Sequence, residues 1–161
     1  MMMNWINLIT FDLYVFSLGL SVVLALLTKD ARAFLFVTLV LFFMLVSWLT
    51  YGGVKAIDSG VMYRYLYYCV LELAFLYVAF LLWDRGWLYN EQFFFALCMS
   101  TLLVVFWTLR FFSRHFIELA ILDDAYRLVI PAINGMFVVC CYIPLFKFAL
   151  KRKGVDKWRS F

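Results

Sequence analysis

Five long apolar stretches, 5–28, 33–51, 63–83, 92–112 and 126–149, fill most of this 161-residue chain. About 20 helical residues at 1.5 Å each cross a hydrocarbon core roughly 30 Å thick, and every stretch approaches or exceeds that length. None alternates apolar and polar residues as barrel strands must, so helices are the expected element. The connections are short: Lys29 to Arg32, a glycine-containing segment 52–62, and Asp84-Arg85-Gly86, which reads as a helix stop. The expected fold is therefore all-α, a polytopic transmembrane helix bundle of about five spans with no soluble domain. Residues 1–149 form one transmembrane domain, with 113–125 as an interfacial helix or an extension of the fourth span, and 150–161 form a basic cytoplasmic tail.

Composition agrees. Hydrophobic residues make up 68% of the chain and charged residues 15%, against about 45–50% and about 25% in soluble domains. A soluble fold this small needs more polar surface than these residues supply. The tail carries Lys147, Lys151, Arg152, Lys153, Lys157 and Arg159 against Asp156 alone, within a net charge of +4. Such a cluster belongs at the cytoplasmic face, which puts the C-terminus inside and, with five spans, the N-terminus outside. Lys29 and Arg32 then also lie inside. The location expected is a plasma membrane, on simplicity of loops the bacterial inner membrane. Trp5, Trp48, Trp83, Trp87 and Trp107 fall near span ends, where indole favours the headgroup boundary. Nothing beside the tail reads a nucleic-acid groove, so no nucleic-acid partner is expected.

Chemistry-bearing groups are few. Cys69, Cys98, Cys140 and Cys141 lie within apolar runs and show no Cys-x-x-Cys spacing, which excludes a thiol oxidoreductase with reactive cysteines near water. One histidine, His115, cannot form a bis-histidine haem site. No nucleophile, acid–base pair or metal-ligand spacing is present, so the chain is expected to be no enzyme, with no metal and no cofactor.

The exception is Glu72, central in the third stretch with no basic residue between Tyr65 and Trp83. An ionisable group there costs about 2.5–3.5 kcal/mol on insertion scales. Helical spacing puts Tyr65 and Tyr68 near its face. Ser17, Ser100, Thr101 and Asn134 lie at similar depth in other stretches and complete an expected midplane polar cluster. The second stretch has only Phe42-Phe43 at its middle, and is expected to be the most lipid-exposed helix. Ser17, Ser21 and Ala25, and Ala96 with Ser100, form small-residue stripes that let helices approach closely. Arg110, Arg114, Lys151, Arg152 and Lys153 are expected to contact headgroups or a partner.

Two functions fit. The first is a small non-enzymatic membrane protein that assembles with itself or as the membrane subunit of a larger complex; its partners are then the lipid bilayer, itself or other membrane proteins. The alternative is an ion or proton channel, pore-forming effector or small carrier that uses Glu72.

Overall fold

The structure, a computed structural model, describes residues 2–58, 63–115 and 120–152, with side chains from Leu13 to Asp58, from Tyr63 to Ser113, and at most positions from Leu128 to Phe146. Five helices follow one another: α1 (Met2–Leu27), α2 (Ala31–Ile57), α3 (Tyr63–Asp84), α4 (Asn90–His115) and α5 (Ala120–Arg152). No strand occurs among the described residues. Three of them, α2, α3 and α4 as far as Ser113, are long and apolar enough to cross a membrane. The apolar portions Leu13–Leu27 of α1 and Leu128–Pro144 of α5 are shorter. Leu27, Leu49, Ile57 and Leu128 are each more than two-thirds exposed, a surface that suits lipid and not water.

The helices form a ring, each packed on the next and α5 returning to α1, with α2 also approaching α5 across it. The longest interface joins α3 to α4. It follows from sequence spacing. On α3, Tyr65, Tyr68, Glu72, Phe75, Ala79 and Leu82 recur at intervals of three and four. On α4, Phe93, Ala96, Ser100, Leu103, Trp107 and Arg110 do the same. That period keeps one seam facing a partner helix. Two stacked pairs fix the antiparallel register: Trp83 on Phe93 with ring centres 4.5 Å apart, and Tyr68 on Trp107 at 4.7 Å. Between them the register sets Ala79 opposite Ala96, both without exposed surface.

Helix ends are built locally. After α1, Asp30 N–H donates to the Ala25 carbonyl and Lys29 N–H to that of Leu26, with Lys29 left-handed at φ 55°. After α3, Trp87 N–H donates to Leu82 and Gly86 N–H to Trp83, with Gly86 at φ 73°. Both are Schellman ends, which glycine adopts without strain. Asp30 then caps α2, accepting from the Ala33 N–H at 3.0 Å, and its other oxygen accepts from the Tyr89 hydroxyl at 3.0 Å. Arg32 lies over the Tyr89 ring at 5.5 Å. The α1–α2 hairpin is thereby tied to the α3–α4 loop. On the α1–α5 side, Tyr14 donates to the Pro131 carbonyl at 2.8 Å and Tyr142 to that of Ser17 at 2.7 Å.

The second helix is not set apart by its exposure: its apolar window buries the same 22% as that of α3. Ala33, Phe36, Val37, Leu39 and Val40 are buried in α2, which packs on α1, α3 and α5, while Phe42, Leu45, Trp48 and Leu49 are exposed. A lack of polar residues says nothing of exposure where the packed core and the lipid are equally apolar.

Both the seam and the loop tie can be tested by substitution. Ala96→Leu forces a larger side chain between α3 and α4 and is expected to destabilise the bundle by about 1–3 kcal/mol; the outward-facing Leu102→Val should stay within about 0.5 kcal/mol. Denaturant titration in micelles reads both. For the loop tie, burial first and the Asp30 bond second hold the Tyr89 phenol above its usual 10.0. Its contribution is therefore fully present below pH 10.0 and is lost as pH rises through the higher folded value. Native protein should lose stability across that alkaline range, and Tyr89→Phe should flatten the loss.

Candidate functional site

Glu72 lies nine residues into α3, about 14 Å along a helix rising 1.5 Å per residue, and so near mid-span. It occupies a seam position between Tyr68 and Phe75, both buried. Among the described residues no basic side chain pairs with it. Ser100, fully buried on α4, lies within reach of the carboxyl but makes no well-directed hydrogen bond. The open side of Glu72 faces a cavity.

That cavity has two lobes, of about 260 Å³ and about 360 Å³, which share Ser47, Tyr51, Tyr68, Glu72, Leu103 and Asn134. The smaller lobe continues to Tyr14 of α1 and Trp48 of α2. The larger runs to Arg64, Tyr65 and Trp107. The space thus extends from mid-span toward the end where α2 finishes and α3 begins. Toward the hairpin end it is shut by phenyl rings. Phe75 meets Phe43 edge-on at 5.5 Å and Phe137 at 5.7 Å, and Phe137 meets Phe95 at 6.5 Å.

A buried ion pair stands at the upper end. Asp58 closes α2, and its Oδ2 accepts from the Arg64 backbone N–H at 3.0 Å while lying 3.5 Å from the Arg64 Nε. One carboxylate therefore caps α3 and holds a guanidinium. The Asp58 side chain is 2% exposed and that of Arg64 23%.

Of the residues expected in the midplane cluster, Glu72, Tyr68 and Asn134 line both lobes and Tyr65 the larger one. Ser100 stands behind Glu72. Thr101 is exposed on the outer face of α4, and Ser17 bonds to Tyr142 at the α1–α5 contact, so neither joins the cavity. Ser21, Ala25, Ala96 and Ser100 are buried within the chain. Arg110, expected to contact headgroups or a partner, is buried in the bundle. It is 7% exposed, because it continues the buried stripe of α4 one step beyond Trp107. The side chains of Arg114, Lys151 and Arg152, and Lys153 entirely, lie outside the described residues. Trp107, expected near a span end, is stacked on Tyr68 within the seam. Asp58, Arg64, Ser47 and Tyr51 were not singled out by sequence reasoning; an acid beside glycines looks like any loop residue.

No known protein family, no curated protein and no solved structure matches this chain. The site is defined by its chemistry: a mid-span acid with no basic partner among the described residues, hydroxyl and amide groups beside it, aromatic walls, and the Asp58–Arg64 pair at its rim.

Asp58→Ala removes the cap of α3 and the counter-charge of Arg64 together. The expected loss is about 1–3 kcal/mol, read by denaturant titration in micelles. Asp58→Asn should recover part of it, because the amide oxygen still accepts from the Arg64 N–H.

Proposed function

We propose that this chain is a non-enzymatic plasma-membrane protein of five spans, with the N-terminus outside and the C-terminus inside, that carries a proton or small cation by way of Glu72. One observation carries the reading: the mid-span acid opens onto a cavity and, among the described residues, has no basic partner. An acid that served only as hydrogen-bonded glue would be enclosed by donors, whereas Glu72 has Ser100 behind it and space in front. Intramembrane ionisable groups commonly mark such paths. The residues that line the cavity all come from a single chain. On the proposed orientation it opens toward the outside, and the phenyl cluster of Phe43, Phe75 and Phe137 is the barrier to the inside.

The assembly reading, with itself or other membrane proteins as partners, loses one of its supports. The small residues that would bring two chains together, Ser21, Ala25, Ala96 and Ser100, are buried inside this one.

The test is proton and monovalent-cation flux through purified protein in liposomes. Native chain is expected to conduct well above empty vesicles, and Glu72→Gln to lower the rate by about tenfold or more. Equal flux in both forms, or none from correctly inserted native protein, would sink the reading.

A further inference from the structure

We infer that the Glu72 cavity binds a hydrophobic organic cation, such as a quaternary or protonated alkyl- or arylamine; this rests on the carrier reading above and names its substrate class. Three features of the cavity point to this chemistry.

The first is its wall. Almost half of the residues lining the smaller lobe are aromatic, with Tyr14, Trp48, Tyr51 and Tyr68 among them. Aromatic faces attract a cation that carries apolar groups and hold it without removing a tight hydration shell. Tyr68 is itself fixed by Trp107 stacked on it, so its ring is a preset surface.

The second is the make-up of the polar lining. A divalent inorganic cation is usually held by more than one carboxylate. The shared lining offers one carboxylate, the Asn134 amide and the hydroxyls of Ser47, Tyr51 and Tyr68. Among the described residues no three His, Cys, Asp or Glu side chains gather as a metal set. One charge in an aromatic chamber suits a monovalent organic ion.

The third is size and charge. Lobes of about 260 Å³ and about 360 Å³ hold a substituted ammonium with room to spare. Among the described residues the base on the lining is Arg64, and Asp58 engages it at 3.5 Å, which limits its repulsion of a cationic guest.

The experiment is calorimetric titration of the full chain in nanodiscs with benzyltrimethylammonium, beside neopentylbenzene, its neutral isostere. The cation is expected to bind and quench tryptophan fluorescence through Trp48, and the neutral isostere to bind about tenfold more weakly or worse. Glu72→Gln should lose the cation by a similar factor. Tyr68→Phe, which keeps the ring, should retain it, and Tyr68→Leu should not. Circular dichroism and gel filtration establish that each variant is folded, and the Tyr68 pair decides the matter if Glu72→Gln is not. Equal affinity for the neutral isostere overturns the proposal. Glu72-dependent proton or alkali-cation flux without binding or competition by benzyltrimethylammonium overturns it too, while leaving the carrier reading intact. Glu72-dependent binding without flux of any ion upholds this site and removes the transport reading.

Discussion

The α3–α4 seam is the interaction on which the rest of the bundle depends. In lipid, burying apolar surface drives no association between helices, so close packing and specific contacts must do it. The seam supplies both. Stacked rings at either end, Trp83 on Phe93 and Tyr68 on Trp107, set the register, and Ala79 facing Ala96 lets the backbones approach between them. Once that register is set, the depth of Glu72 is set as well. The acid cannot turn to lipid without pulling Tyr68 and Phe75 out of the same stripe. Its carboxyl is therefore directed inward, where α2 and α5 leave the cavity.

The two ends of the bundle are built differently. At the hairpin end, two Schellman turns, the Asp30 cap, the Tyr89 bond and the Arg32 contact join four helices through short connections. Between that end and Glu72, the rings of Phe43, Phe75 and Phe137 pack edge-on at mid-helix. At the opposite end, the Asp58–Arg64 pair ties α2 to α3, and the interior behind it is open as far as Glu72. The carrier reading proposed above draws on this asymmetry: one end tied by turns, a cap and packed rings, the other by a polar contact at the rim.

How much of this could be read from the sequence depended on which physical signal was in use. Apolar length marked all five helices, because the requirement of about 20 residues per crossing is strict. The Asp84-Arg85-Gly86 stop was legible because few residues other than glycine adopt positive φ readily. Glu72 stood out because a charge at mid-span is rare. Depth alone misled for its companions. Ser100 and Thr101 sit at one level, yet adjacent helical positions point about 100° apart, so one stands behind the acid and the other faces out. The three-and-four spacing of α3 and α4 was present in the residues and would have separated them. It would also have placed Trp107 and Arg110 inward, against the usual expectation for indole and guanidinium near a span end. The inward turn of α2 had no signal at all, since a phenylalanine packed on helices and one bathed in lipid have the same polarity. Asp58 was invisible for a different reason: its partner Arg64 lies across a loop whose path the sequence does not give.

Among the described residues no base pairs with Glu72, which looks at first like an argument against an ion path, since most such paths pair their charges. The geometry reverses it. Arg64 lies on the same helix two turns away, about 12 Å along the axis, and a long guanidinium side chain turned down the cavity would approach the acid. A permanent pair would satisfy both groups and close the site to any external cation. Asp58 prevents this. By capping α3 through the Arg64 N–H and holding the Arg64 Nε with the same oxygen, it keeps the guanidinium at the rim, beside the end of α2. On the carrier reading proposed above, the buried acid is then left for a proton or an incoming cation. Asp58 and Glu72 have complementary roles on that reading, since the first engages Arg64 and the second stays available to a ligand.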